Sequence, residues 1–171
     1  MLATVALCSC TDKNEDKTLD QAVLGSWIGY NTYQVEEGTV NPNDNNPEAC
    51  WVYLTFKSDN TCSIYIPHWW EIRRGTYTVQ DNNKINIVIT GIGCLSNDII
   101  SPAFHEHPEG DQGHLETYGV STFEEFAQQR PDEVNLSVDA HMADDLLILG
   151  EGIFGSPLTC KADNNNVFGI N

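Results

Sequence analysis

Two hairpin-shaped blocks, set almost end to end, constrain this chain more than anything else in it. Residues 51–56 hold Trp51, Val52, Tyr53, Leu54 and Phe56, the polar residues 57–60 follow, and residues 61–66 return with Cys62, Ile64, Tyr65 and Ile66. Residues 75–79, the polar stretch 80–84 and residues 85–90 repeat the plan. Aromatic and β-branched runs bounded by such turns are antiparallel strand pairs. In the second block Ile85, Ile87 and Ile89 alternate with Asn86, Val88 and Thr90, so one face is the more apolar. Residues 134–139 and 145–149 make a third pair, and residues 25–30 begin an earlier strand.

Helix signals are few. Residues 19–24 allow one short turn of helix. Residues 121–130 carry more: Ser121 and Glu124 have capping-box spacing, Phe123 and Phe126 share a helical face, and Pro131 closes the segment. Residues 103–113, with Pro and Gly, read as a loop. A chain of 171 residues is the size of one domain with an ordinary core. The expected fold is all-β: an antiparallel meander barrel of about eight strands with one short helix.

The N-terminus reads as an address. An apolar run of about seven residues is too short to span a bilayer but suits a signal-peptide core. Leu7-Cys8-Ser9-Cys10 then resembles a bacterial lipobox. Residues 1–9 are accordingly read as a signal peptide lacking its basic start. Cys10 is the lipidated residue of a tether over 10–20, and 21–171 is the barrel domain. The expected location is the outer membrane or cell surface of a Gram-negative bacterium, with the membrane reached through the lipid alone. Of the remaining cysteines, Cys50, Cys62, Cys94 and Cys160 could form two disulfides in an exported protein or stay as buried thiols.

Leu24-Gly25-Ser26-Trp27 resembles the Gly-x-Trp signature of the lipocalin and calycin barrels. The block 54–60, followed by 74–79 and 84–87, is similar to lipocalin-like lipoproteins of the Bacteroidetes. The resemblance spans about residues 22–90. It implies a lipocalin-like barrel standing off a membrane, and it makes Lys161 the candidate for the basic side chain that packs on the first-strand Trp in that family.

A barrel of about eight strands can be filled by side chains or hold one small molecule. Trp27, Trp51, Tyr53, Phe56, Tyr77 and Ile87 are the candidate lining residues of its interior or mouth; each could equally be plain core. Trp69 and Trp70 stand beside Arg73 and Arg74. If this segment is strand, at most one of the two indoles faces the core. The other is free to stack on a guanidinium or on a flat ligand such as a sugar ring. His105, His107, His114 and Glu116 are a candidate metal set, imidazole and carboxylate being ligands that transition metals take.

Charge is uneven. Residues 50–97 carry four basic and three acidic groups, whereas 98–151 carry thirteen acids and one Arg. A net charge of −17 argues against nucleic acid, whose backbone demands clustered Lys and Arg. No nucleophile-elbow, phosphate-loop or zincin motif occurs. The expectation is an anchored, monomeric binding protein for a small apolar or amphipathic molecule, without cofactor or catalysis. An adhesive, glycan-contacting domain using exposed Trp and a metal-dependent enzyme using the His-x-His loop are the rivals.

Overall fold

The computed structural model describes residues 17–44, 46–97, 104–106, 110–153 and 155–164. The short helix α1 (Leu19–Ala22) leads into β1 (Gly25–Asn31) and α2 (Thr32–Glu36). After two 3-10 turns come β2 (Val52–Phe56) and β3 (Thr61–Ile66), then a 3-10 turn at Pro67–Trp69. The long hairpin β4 (Glu71–Gln80) and β5 (Lys84–Asn97) follows, with β6 (Phe104–Glu106) beyond it. Helices α3 (Gly110–Thr117), α4 (Phe123–Gln129) and α5 (Pro131–Val134) intervene before β7 (Asn135–Ala143), β8 (Leu146–Leu149) and β9 (Leu158–Ala162).

Strands β1 to β5 pair in chain order, β5 passes to β7, and β9 returns to β1. The result is a closed antiparallel barrel of eight strands, with β6 added on the far end of β5. Closure satisfies the hydrogen bonds that an open sheet would leave at its edges. Asn60, Asn83 and Asp144 take φ of 64°, 60° and 56° in three of the hairpin turns, a left-handed conformation that Asn and Asp tolerate well.

Period-two alternation decides what lies inside. Trp27, Leu54, Phe56, Ile64, Tyr77, Ile85, Ile87, Ile89, Val138 and Leu147 all belong to one continuous buried core. The barrel is therefore filled along its length by its own side chains. One irregularity keeps that face continuous: Gly75 pairs with Ile89 but Arg74 pairs with Gly91, leaving Thr90 as the extra residue of a bulge. Without it, Ile89 and Ile92 would point to opposite faces; with it, both are core.

A second buried cluster lies on the outside of the sheet. Ile28, Tyr30, Tyr53, Tyr65, Ile72 and Leu95 gather there, with Val35, Val40 and Ala49 packed against them. Tyr53 thus corrects the expectation that it lines the interior. It has the opposite parity to Leu54 and Phe56, so it cannot share their face. Lys161 is corrected likewise: it pairs with Ile28 on the outer face, while Trp27 pairs with Ala162. The indole of Trp27 instead donates to the Val23 carbonyl at 2.8 Å.

The helical content exceeds the one helix expected. The stretch 103–113, read as loop, includes β6 and the start of α3. The capping box is shifted by one residue, with Thr122 accepting from the Glu125 N–H and Glu125 reaching back. Phe123 and Phe126 do share a face, their rings stacked at 6.1 Å. The four described cysteines are buried free thiols. Cys62 sits opposite Phe56 and Gly75, Cys94 opposite Glu71, and Cys160 opposite Gly29 and Leu147, so none of the three has a cysteine as its cross-strand partner.

The two ends of the barrel differ. At one lie α1, the start of β1 and the turns 57–60 and 80–84, with Val23 packed into the core. At the other, the turn 67–70 and helices α3 to α5 surround the first residues of β4.

Candidate functional site

Strand β4 carries two charged residues inward. Glu71 and Arg73 have the parity of Gly75 and Tyr77, so the pleat directs them into the barrel even though both are ionic. Glu71 is fully buried and Arg73 is 2% exposed. Taking two such charges from water costs several kcal/mol each unless they are paired and hydrogen-bonded. The helices between β6 and β7 supply the partners.

Glu71 accepts from Arg73 Nε and from the Tyr118 hydroxyl, and its Oε2 lies 2.7 Å from His114 Nε2. With Glu71 ionised and acceptor-only, that imidazole nitrogen carries the hydrogen. Arg73 reaches Glu133 twice, at the carbonyl (3.2 Å) and at Oε2 (2.8 Å). Arg130 holds the other oxygen of Glu133 at 2.7 Å and lies over the Tyr118 ring at 4.9 Å. Tyr118 meets Phe126 edge-on at 5.0 Å, tying the cluster to the core.

These contacts set the charge states. Burial drives the Glu71 carboxyl upward, but the hydrogen bond from His114, the Arg73 charge and the bond from Tyr118 outweigh it and hold the group below the ordinary carboxylate range. Glu133 is lowered in the same way: burial opposes, and Arg130 and Arg73 prevail. Burial, then the bond to Glu71, pushes the Tyr118 phenol up. The cluster thus consists of two carboxylates, two guanidiniums, a phenol and an imidazole.

Above it opens a hollow of about 510 Å³, lined by Trp69, Trp70, Glu71, His114, Tyr118, Arg130 and Glu133 among others. That lies within the roughly 300–1,000 Å³ in which small ligands are held. The Trp69 indole also walls a smaller hollow of about 220 Å³, shared with Trp51, Ile66 and His68. Trp69 and Trp70 are 56% and 52% exposed. Neither is in a strand, which corrects the strand-based reading of this pair. Pro67 opens a 3-10 turn and Trp70 ends it at φ 53°, a left-handed conformation unusual for a bulky side chain. Its backbone is fixed on both sides: the Trp70 N–H donates to Pro67 O at 3.2 Å and its carbonyl accepts from Leu95 N at 2.7 Å.

Of the sequence-derived lining residues, Trp27, Phe56, Tyr77 and Ile87 are packed core, and Trp51 stands at the smaller hollow. Arg73 is inside the charged cluster. Arg74 faces outward, 3.7 Å from Asp111 in an exposed pair. From the candidate metal set, His114 is engaged by Glu71, and Glu116 is exposed beside Gln112 at 3.4 Å. His105 is on β6, its side chain beyond what the structure describes, and His107 and Cys10 lie outside the described residues. Among the described residues no three His, Cys, Asp or Glu side chains form a metal-holding group. Sequence reasoning passed over Glu71, Tyr118, Arg130 and Glu133. For Glu71 the signal was present, because it repeats the spacing of Gly75 and Tyr77.

No protein-family model and no curated protein matches this chain. Among solved structures, the chain is similar to a crystal structure of a DUF4847 family protein from Bacteroides vulgatus. The two are 14% identical with a TM-score of 0.38, over 83% of this chain and 94% of that one.

Proposed function

We propose that this barrel is a membrane-anchored binding domain that takes a small amphipathic molecule at its mouth and performs no chemistry on it. The observation that carries this reading is the hollow of about 510 Å³, with two exposed indoles on its rim and a buried ionic cluster as its floor. An amphipathic guest matches that division, laying its apolar part on the indoles and turning its polar part to Arg130 and Glu133. The filled interior moves the binding place from the barrel axis, where the sequence alone would put it, to the mouth. The Glu71 carboxylate accepts from three side chains, which suits a rigid support better than a reacting group. Anchoring is supported by the lipobox-like Leu7-Cys8-Ser9-Cys10.

Native mass spectrometry of the full chain purified from its own host tests the binding. A retained small-molecule mass that disappears in Trp69→Ala is expected; a wild type carrying nothing, or an adduct indifferent to that substitution, refutes the reading. Fatty-acid labelling tests the anchor separately, with label expected on the wild type and absent from Cys10→Ala.

A further inference from the structure

We propose that the guest is a sugar: a neutral, hydroxyl-rich ring whose C–H face lies on Trp69 and Trp70 and whose hydroxyls bridge Arg130 and Glu133. The inference rests on the mouth being the binding site and adds the chemical class of what enters it.

Charge balance is the first argument. Among the described residues, Glu71, Glu133, Arg130 and His114 line this hollow, with Arg73 just behind them. The carboxylates and guanidiniums among these are matched pair by pair, while His114 is engaged by Glu71. A ligand ion of either sign would enter without an unspent counter-charge, and an anion would do so within a chain of net charge −17. A hydroxyl avoids the conflict because it donates and accepts at once. Arg130 has five N–H donors, and its guanidinium donates to Glu133 Oε1; its side chain is 42% exposed and that of Glu133 36%. A ring hydroxyl can therefore accept from the guanidinium and donate to the carboxylate while their pairing persists.

Shape is the second argument. Sugars present C–H groups on one ring face and hydroxyls around the edge, which is the apolar-wall, polar-floor division of the hollow. Trp69 faces both hollows, so a second ring in a chain of sugars has a wall to lie on past the first.

Backbone strain is the third. Holding a bulky non-glycine residue in the left-handed region costs free energy, and such residues cluster where a ligand is held. Trp70 is kept there at φ 53° with about half its surface exposed. The arrangement makes sense if the indole is needed outside.

The test uses the full chain, its Trp fluorescence and a broad array of neutral oligosaccharides, with a polygalacturonate and octanoate as charged non-matching probes. A neutral oligosaccharide should shift the emission saturably, with an affinity that does not change as salt is raised, since no ionic contact is screened. Trp70→Asn should weaken binding at least about tenfold while melting no lower than wild type, because Asn accepts the left-handed conformation. Glu133→Gln should weaken it less. If polygalacturonate or octanoate binds in a Trp70-dependent manner and no neutral sugar does, the sugar assignment falls and the mouth reading stands. Silence across the whole panel removes both.

Discussion

Glu71 and His114, 43 positions apart, meet at 2.7 Å in the floor of the mouth, the carboxylate on the first residue of β4 and the imidazole on the helix that covers it. Their bond joins strand β4 to α3, and the Tyr118 hydroxyl repeats the link one turn later. The cluster therefore adds a polar fastening to the apolar one that Leu115, Val120, Phe126 and Val134 make with the barrel core. Glu71→Gln leaves Arg73 buried beside a neutral amide, and a loss of about 3–5 kcal/mol is expected for a broken buried pair. Urea unfolding checks it. Arg73→Met in the same chain should recover part of the loss, because both buried charges are then gone.

Acid should loosen the same place. The folded carboxyls of Glu71 and Glu133 are held low, so the unfolded chain binds their protons first and stability rises with pH across that window. Their contribution is complete above the ordinary carboxylate range and is lost as pH falls from about 4.5 through the lowered folded values. Urea midpoints measured between about pH 6 and pH 3 should drop, and the slope should be shallower in Glu71→Gln. An equal slope in both proteins would contradict the assignment.

Gly75 and Gly91 flank the bulge of the β4–β5 hairpin and should respond oppositely to a methyl group. A Cβ on Gly75 would stand 2.2 Å from the Val88 carbonyl oxygen, a backbone atom that cannot swing aside. Gly75→Ala should cost about 3 kcal/mol or more. A Cβ on Gly91 meets nothing within 4 Å, and Gly91→Ala should stay within about 0.5 kcal/mol of wild type. Thermal melts of the two variants decide the matter.

The thiols should be silent until the barrel opens. Burial pushes Cys50 and Cys62 up to about 12 and Cys160 up as well, so almost none is thiolate near neutrality. Peptide mapping after iodoacetamide should find these three unmodified in the native protein and alkylated after urea. Native alkylation, or a recovered disulfide between them, would count against the buried-thiol arrangement.

Thr122 accepts from the Glu125 N–H at 3.1 Å at the start of α4. Thr122→Ala should cost about 1 kcal/mol, read by chemical unfolding, and Ser121→Ala much less.

The hairpins were legible because their residues obey one local rule, apolar alternation between polar turns, and the closed barrel follows from enough of them. Other features depend on choices between near-equal local options. Ser121–Glu124 and Thr122–Glu125 have the same spacing, and only the docking of Phe126 selects the second. Helix α3 holds Gly110 and Gly113 with a single buried aliphatic, Leu115, so its sequence carries almost no helical period. The charged floor was missed because Glu71 and Arg73 look like the polar side of a strand. What makes them inward is the global closure, which places their face against helices arriving some forty residues later. Trp69 and Trp70 were singled out correctly as unusual, but a left-handed residue at position 70 is not written in any local pattern.

The chain enters the barrel from beneath, through α1 at the start of β1, whereas the indole-rimmed hollow opens at the other end. If Cys10 carries the lipid proposed above, the α1 end would be held toward the bilayer and the hollow turned outward. A guest arriving from the surrounding medium would then meet the cup directly, without first dissolving in or sliding along the membrane, and release would return it to the same side.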